Sequence, residues 1–168
     1  VDLTALGPAR LEVRAADRRA LVSAGMTAGA LYAAARSHGL RFPPMPSSGE
    51  WATLGGMAAT NAAGASAVRS GSVRNWISAL EWVDAEGESH RWARGEAIEQ
   101  GPRWAALEGR IRKDEPAIRA RFPRVRKNSS GYAVDAVLDS GDLLDLLIGS
   151  EGTLGLITGL ECRLAPLP

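Results

Sequence analysis

The chain has 168 residues, of which 45% are hydrophobic and 23% are charged, and its formal net charge is +1. This composition is typical of a globular protein with a core of its own and excludes a disordered chain. The single Cys162 excludes an intramolecular disulfide and a cysteine-based metal cluster. No apolar run approaches the roughly 20 residues of a membrane span. Because the chain begins at Val1, we expect it to be part of a longer protein.

The hydrophobic pattern predicts an α+β fold, because helices and strands are mixed and hairpins replace repeated β-α-β units. The predicted strands cover 11–15, 20–25, 77–84, 89–92, 154–158 and 160–164. Thr27 and Thr53 are predicted N-caps of two helices, the second running to about Thr60. A third helix is predicted over 103–121, with a break or kink at Pro116, and a fourth over 142–148.

Two segments rich in small residues are candidate ligand sites. In 52–64, small side chains would let the backbone approach a flat ligand, and a helix starting at Gly55-Gly56 would direct free N–H groups toward a phosphate or a ring edge. A tightly packed helix crossing explains the same composition. The second segment, 149–155, is either an anion or ligand nest or a helix C-cap followed by a tight turn. Neither segment contains the G-x-G-x-x-G or P-loop pattern.

Five motifs, in order along the chain, resemble one known family. They are 42–48 (FPPMPSS), 53–64 (TLGGMAATNAAG), 71–76 (GSVRNW), 127–132 (KNSSGY) and 149–158 (GSEGTLGLIT). Together they resemble the FAD-linked oxidase domain of the vanillyl-alcohol-oxidase or PCMH-type flavoproteins, and within it the D-lactate dehydrogenase and glycolate oxidase branch.

The resemblance implies FAD as cofactor and the second lobe of a PCMH-type FAD-binding domain, with a mostly antiparallel sheet flanked by helices. Residues 1–168 would be a partial FAD-binding domain, with the pyrophosphate-loop lobe before Val1 and the substrate domain after Pro168. The implied cofactor contacts are Pro46, Ser47, Ser48, Gly55, Gly56, Ala59, Thr60, Asn61, Ala62, Gly64, Gly71, Ser72, Glu151, Gly152, Thr153, Leu154, Gly155 and Ile157. The sequence departs from the family at Met45, where Asp is common, and at Ala63, where Gly is common.

The implied activity is oxidation of a small 2-hydroxy acid, such as D-lactate, glycolate or D-2-hydroxyglutarate. A hydride would pass from the substrate C2 to the flavin N5, assisted by a base on the absent domain. The electron acceptor is not identified by any motif. We expect no metal, no nucleic-acid partner and no transmembrane segment. The lone thiol fits a cytoplasmic protein, at most peripheral to a membrane.

A non-catalytic alternative rests on the segment 91–127, which holds eleven basic and five acidic residues. On this alternative the segment docks an acidic partner, including a nucleic acid. The interleaved acidic residues favour a solvated helical insert instead. A milder hypothesis is that Arg119, Arg121, Arg124 and Arg126 steer an anionic substrate toward the active site.

Three further interpretations are structural. Asp142 and Asp145 lie three residues apart in a predicted helix, and we interpret them as a solvated face. Trp82 and Trp92, on the predicted hairpin, are interpreted as packing residues. Cys162 alternates with leucines and is interpreted as a small buried hydrophobe.

We expect the isolated 168-residue chain to fold but to bind FAD weakly. In the resembled family a glycine-rich loop holds the diphosphate. Losing about three charge-assisted hydrogen bonds, worth roughly 1.5–3 kcal/mol each, lowers the affinity by about three to six decades. A titration with FAD, monitored by flavin fluorescence, measures this affinity. Sub-micromolar binding would contradict the expectation.

Overall fold

The computed structural model describes residues 9–96, 101–125 and 128–168. The strands along the chain are β1 (Leu11–Arg14), β2 (Arg19–Ser23), β3 (Leu40–Arg41), β4 (Ile77–Val83), β5 (Ser89–Ala93), β6 (Leu156–Arg163) and β7 (Ala165–Pro166). A five-stranded antiparallel sheet has the order β1-β2-β6-β4-β5, and β3 and β7 form a separate pair. The last long strand of the chain therefore occupies the middle of the sheet.

Helices pack around this sheet. They are α1 (Ala28–Arg36), α2 (Leu54–Ala59), α3 (Ala67–Ser70), α4 (Pro102–Lys113), α5 (Glu115–Arg121), α6 (Val134–Ser140) and α7 (Leu144–Leu147), with a 3-10 helix over Val73–Trp76. The predicted α+β class is confirmed. Within the described residues, no helix has the length and apolarity that crossing a membrane requires.

Both predicted N-caps are confirmed. The Thr27 hydroxyl oxygen accepts the N–H of Ala30, and the Thr53 hydroxyl oxygen accepts the N–H of Gly56, each at 3.2 Å. A threonine hydroxyl in this position satisfies one of the N–H groups that a helix start leaves without a partner. The start of each helix therefore follows from local chemistry.

The predicted break in the third helix is also confirmed. Helix α4 ends at Lys113, and α5 begins at Glu115 with Pro116 in its first turn. A proline there removes no hydrogen bond, because the first N–H groups of a helix have no partner within it. The fourth predicted helix, 142–148, is wrong in extent, since the structure has only α7 there and a separate α6 before it. Gly141, with φ of +72°, ends α6.

The two strands predicted over 154–158 and 160–164 form one strand, β6, that runs through Gly159. A Cβ at this glycine would lie 2.4 Å from Oε2 of Glu81 on the neighbouring strand. The glycine that was expected to divide two strands is therefore a close-approach position within one of them.

The core side of the sheet carries an aromatic cluster. Trp82, Trp92 and Trp104 are at most 8% exposed, and their ring centroids lie 4.9–5.5 Å apart with edge-to-face geometry. Such edge-to-face contacts hold α4 against the β4–β5 hairpin. Cys162 is fully buried in the same core, and burial raises the pKa of its thiol to about 12. The packing interpretations of these residues are confirmed.

A glycine pair tests the packing beside α2. In Gly64→Ala the new Cβ would lie 2.0 Å from the backbone oxygen of Met45. We expect a loss of about 1–3 kcal/mol in the free energy of unfolding, because backbone cannot easily move aside. In Gly109→Ala, inside α4, the Cβ meets nothing within 4 Å. This control is expected to gain roughly 0.5–1 kcal/mol. Urea unfolding measures both, and equal midpoints for the two variants would contradict the packing argument.

Candidate functional site

The two segments rich in small residues meet at the C-terminal end of α2. The N–H of Gly149 donates to the carbonyl of Ala58, and the N–H of Glu151 donates to the carbonyl of Ala59, both at 2.9 Å. These carbonyls belong to the last turn of the helix, where the regular i+4 partners are missing, and the carbonyl of Ala58 also accepts the N–H of Asn61 at 3.1 Å. Segments about ninety positions apart in sequence thus form one continuous wall.

Asn61 lies at the centre of this wall. It is 5% exposed, and its φ of +46° is in the left-handed region, which asparagine tolerates better than most residues. Its Oδ1 accepts the backbone N–H of Arg74 at 3.3 Å. The N–H of Val73 donates to the carbonyl of Ala62 at 2.8 Å. The motif at 71–76 is therefore joined to the motif at 53–64 by two hydrogen bonds.

A cavity of about 380 Å³ opens beside Asn61. Its lining combines small or apolar residues with uncharged hydrogen-bonding groups: Asn61, Ala63, Ala67, Val68, Gly71, Ser72, Asn75, Asn128 and Ser129. A second cavity of about 220 Å³ adjoins it and shares the lining residues Asn61, Ser72, Asn128 and Ser129. The motifs at 53–64, 71–76 and 127–132 therefore meet around these two cavities.

The fourth and fifth motifs also touch each other. The hydroxyl of Tyr132 lies 2.7 Å from the hydroxyl oxygen of Thr153, which itself donates to the carbonyl of Ser150 at 2.6 Å. The N–H of Ser130 donates to Oδ1 of Asn128 at 3.1 Å, which closes a local turn. Segment 128–132 is thereby tied to the 149–155 turn.

A buried ionic cluster lies behind the wall. Asp145 is only 2% exposed, and its Oδ1 accepts from Nη2 of Arg94 at 2.7 Å and from Nη1 of Arg74 at 3.0 Å. Ser140 donates to Oδ2 at 2.8 Å. Asp142, with a side chain 12% exposed, lies 3.7 Å from Arg94. The interpretation of the two aspartates as a solvated face is wrong, because arginines from distant segments cover them.

The surroundings set the pKa values of this cluster. Burial acts to raise the pKa of Asp145, but the hydrogen bond and charge of Arg94, with smaller contributions from Ser140 and Arg74, outweigh it. The pKa of Asp145 therefore lies below its ordinary value of 3.8. Burial lowers the pKa of Arg74, and the charge of Asp145 opposes that change.

The proline-rich motif lies at a different place. Pro46 and Ser47 line a separate groove of about 500 Å³ against α1. The loop is tied to the start of α3 by the hydroxyl of Ser66, which donates to the carbonyl of Pro43 at 2.9 Å. The structure therefore does not bring Pro46 and Ser47 into the cavity beside Asn61.

The expected free N–H groups at the start of α2 are not found. The N–H of Gly55 donates to the carbonyl of Ala24 at 2.8 Å, and the N–H of Gly56 to the hydroxyl oxygen of Thr53 at 3.2 Å. A Cβ at Gly55 would lie 2.6 Å from the Cβ of Ala24. The anion-site interpretation of this helix start is wrong, and tight packing accounts for the glycine.

Several of the remaining predicted contacts are buried or partly buried: Ile157 lies in the core, and Ala59, Ala62 and Leu154 pack against it. Gly64 and Gly155 are packed against protein, since a Cβ on Gly155 would lie 2.5 Å from the backbone oxygen of Val83. Others are exposed on the wall: Gly56, Thr60, Glu151, Gly152 and Thr153. Contact between any predicted residue and FAD stays a prediction.

Several lining residues are absent from the predicted contact set. Asn75, Asn128 and Ser129 line the larger cavity, and Arg74 lines the smaller one. They belong to the motifs 71–76 and 127–132, which were recognised but only partly assigned. Nothing in the sequence predicted that Ala67 and Val68 line the cavity, because small apolar residues occur at many kinds of position.

The basic segment is paired largely within the chain. The ion pairs are Arg103–Glu86 (3.2 Å), Arg110–Asp114 (2.5 Å), Arg112–Glu108 (2.6 Å) and Arg119–Asp139 (2.5 Å). These pairs favour the solvated helical insert over an acidic docking partner. Arg126 and Lys127 lie outside the described residues.

Residues 1–93, more than half of the chain, match the family described as the FAD binding domain. The chain belongs to that family. The resemblance carried by the five motifs is thereby confirmed, and FAD is the cofactor.

Curated relatives of this FAD-binding chain are dehydrogenases. D-lactate dehydrogenase of Archaeoglobus fulgidus is 40% identical over 156 residues, which cover 93% of this chain and 26% of that protein. D-2-hydroxyglutarate dehydrogenase of Xanthomonas citri pv. viticola is 31% identical over 158 residues, which cover 94% of this chain and 25% of that protein. The chain thus spans about a quarter of the length of these relatives.

Solved structures show the same fold. A structure of alkyldihydroxyacetonephosphate synthase superimposes with a TM-score of 0.63 at 19% identity, covering 99% of this chain and 23% of that one. The predicted antiparallel sheet with flanking helices is therefore the fold of this flavoprotein group.

The residues around the larger cavity fit a flavin ring. The ring is flat, with carbonyl and N–H groups along one edge. Small residues such as Ala63 and Gly71 allow close approach, while Asn61, Ser72 and Asn128 can both donate and accept hydrogen bonds. The residues that line this cavity carry no ionisable side chain.

The ionic cluster gives a pH prediction. Because the pKa of Asp145 is lowered on folding, its contribution to stability is complete above 3.8 and is lost as the pH falls through the lower pKa of the folded state. Asp145→Asn should lower the free energy of unfolding by about 3–5 kcal/mol at neutral pH and by progressively less in acid.

Urea unfolding at several pH values between about 2 and 7 measures this difference. Asp139→Asn removes a carboxylate that is 67% exposed and paired with Arg119, and it is the matched control. The same pH dependence in the protein and in Asp145→Asn would contradict the assignment.

Proposed function

We propose that this chain is the flavin-orienting part of an FAD-dependent oxidoreductase that oxidises a 2-hydroxy acid of the D-lactate or D-2-hydroxyglutarate class. One observation carries the proposal: three separate motifs converge on an uncharged polar cavity of about 380 Å³ in a chain of the FAD binding domain family. The substrate class is taken from relatives that align over 93–94% of this chain.

FAD, when bound, supplies the two-electron acceptor at N5 for the hydride that leaves the hydroxyl-bearing carbon. The protein binds and orients it. Small residues at Ala63 and Gly71 would let the backbone approach a ring face, and the side chains of Asn61, Ser72 and Asn128 would be the hydrogen-bonding groups available to its polar edge. The lining of the larger cavity itself carries no charged side chain, and Arg74 lines the smaller cavity beside it.

The proton of the substrate hydroxyl needs an acceptor. The larger cavity is lined by amides, hydroxyls and small apolar groups, none of which is a base near neutral pH. We therefore assign the general base to a part of the protein beyond these residues. The chain is then a partial FAD-binding domain, in keeping with relatives about four times as long. A cytoplasmic location remains the proposed compartment.

The absorption spectrum of the full-length protein tests the function. We expect bound flavin, and anaerobic bleaching of its visible band by D-lactate, D-2-hydroxyglutarate or glycolate. L-Lactate is the stereochemical control and should leave the band unchanged. A colourless protein that cannot be reconstituted with FAD, or a flavin that none of the three acids reduces, would contradict the proposal.

A serine pair tests the cavity itself. Ser72→Ala removes a hydroxyl from the shared lining of both cavities and should weaken FAD binding by about 3–10-fold, the value of one neutral hydrogen bond. Ser89→Ala removes an exposed hydroxyl at the start of β5 and should leave the affinity unchanged. Equal affinities of the two variants, measured by fluorescence titration, would place the flavin elsewhere.

A further inference from the structure

We infer that Arg74, Asp145 and Arg94 form a positioning cluster that holds Asn61 and the 148–151 turn in the conformation that FAD contacts. The contact with FAD rests on the proposed function, whereas the restraint on the turn rests on geometry alone. None of the three residues was among the predicted cofactor contacts.

Arg74 lies between the two segments that build the wall. Its backbone N–H donates to Oδ1 of Asn61 at 3.3 Å, and its Nη2 donates to the carbonyl of Ile148 at 2.5 Å. A Cβ placed on Gly149 would lie 3.4 Å from both Nη2 of Arg74 and the Cβ of Asn61. One arginine therefore bonds both segments and packs against the glycine between them.

The segments it joins have an unfavourable backbone conformation. Asn61, Gly149 and Glu151 have φ values of +46°, +94° and +53°. Left-handed backbone at a non-glycine residue persists only where its surroundings fix it. The carbonyls at the end of α2 restrain the 149–151 turn from one side, and Arg74 restrains it from the other.

Asp145 and Arg94 keep the guanidinium of Arg74 in place. Nη1 of Arg74 donates to both the backbone oxygen of Asp145, at 2.5 Å, and its Oδ1, at 3.0 Å. Arg94 donates to the same carboxylate and also reaches the carbonyls of Ile77, at 2.9 Å, and Arg74, at 3.2 Å. The side chains of Arg74 and Asp145 are only 13% and 3% exposed, so solvent cannot substitute for these bonds.

A second buried carboxylate provides the comparison. Glu161 has a side chain 10% exposed and accepts from Arg19 and from Ser78, the latter at 2.8 Å. These partners belong to β2 and β4, and none of the three lines the two cavities beside Asn61. This buried ion pair therefore stabilises the protein without contacting the wall.

Amide hydrogen exchange in the FAD-free protein, followed by NMR, tests the cluster. In Asp145→Asn we expect the N–H groups of Gly149 and Glu151 to exchange about tenfold faster or more, since a charged hydrogen-bonding partner is lost behind the turn. Glu161→Gln is the matched control. It should speed exchange in β2 and β6. The exchange rates of the Gly149 and Glu151 N–H groups should change by no more than the change in global stability accounts for.

Arg74→Lys gives a second route should Asp145→Asn not fold. A single ammonium retains the charge beside Asp145 but lacks the fork that reaches Ile148 as well. We expect faster exchange at Gly149 and Glu151 with exchange in β6 unchanged. Faster exchange throughout the sheet, or no change at the turn, would show that the cluster is only a stabilising ion pair and overturn the inference.

FAD titration of the full-length protein completes the test. Asp145→Asn and Arg74→Lys should weaken FAD binding by about tenfold and change the visible circular dichroism of the bound flavin, whereas Glu161→Gln should do neither. Unchanged affinity and spectrum despite a loosened turn would overturn the link to the cofactor. If the unmodified protein binds no FAD, the proposed function fails, while the exchange results still decide the restraint on the turn.

Discussion

The wall of the candidate site depends on two backbone hydrogen bonds, from Gly149 to Ala58 and from Glu151 to Ala59. The carbonyls belong to the last turn of α2, where the regular helical partners are missing. The turn therefore stabilises the end of the helix, and the helix end stabilises the turn. Asn61 lies two residues after Ala59, and the cavity opens beside it. The buried cluster around Asp145 acts on the same turn from behind. The site is thus a junction of main-chain segments. Backbone hydrogen bonds fix these segments and thereby the positions of the side chains that line the cavity.

The small residues have different roles that the sequence does not distinguish. Gly55, Gly64 and Gly155 lack a side chain because neighbouring protein lies where their Cβ would be. Gly152 meets nothing within 4 Å of such a position, yet has a φ of +81°. A glycine needed for packing, one needed for backbone conformation and one needed for ligand approach are identical in sequence. Only the neighbours in space distinguish them.

Features with a local cause could be predicted from sequence. The N-caps at Thr27 and Thr53 and the break before Pro116 each depend on residues within one helical turn, and each is found. Features that depend on distant partners could not. Asp145 can be buried because Arg74 and Arg94 neutralise its charge. These arginines lie 71 and 51 positions away, and the residues next to Asp145 in sequence do not indicate them. Three of the five motifs, 53–64, 71–76 and 127–132, contribute residues to the cavity beside Asn61. That Asn128 and Ser129 line this cavity, while Pro46 and Ser47 line a separate groove, depends on the three-dimensional arrangement.

The position of β6 has a consequence for how the chain folds. The strand comes last among those of the large sheet, yet it lies between β2 and β4 and pairs with both. Until residue 163 is available, the hairpins β1–β2 and β4–β5 have no strand to join them. Pairings of such long sequence separation form slowly, because a long loop must close before they are gained. The central sheet and the cavity wall therefore assemble late and together, and a polypeptide emerging from the ribosome gains neither before β6 has been released.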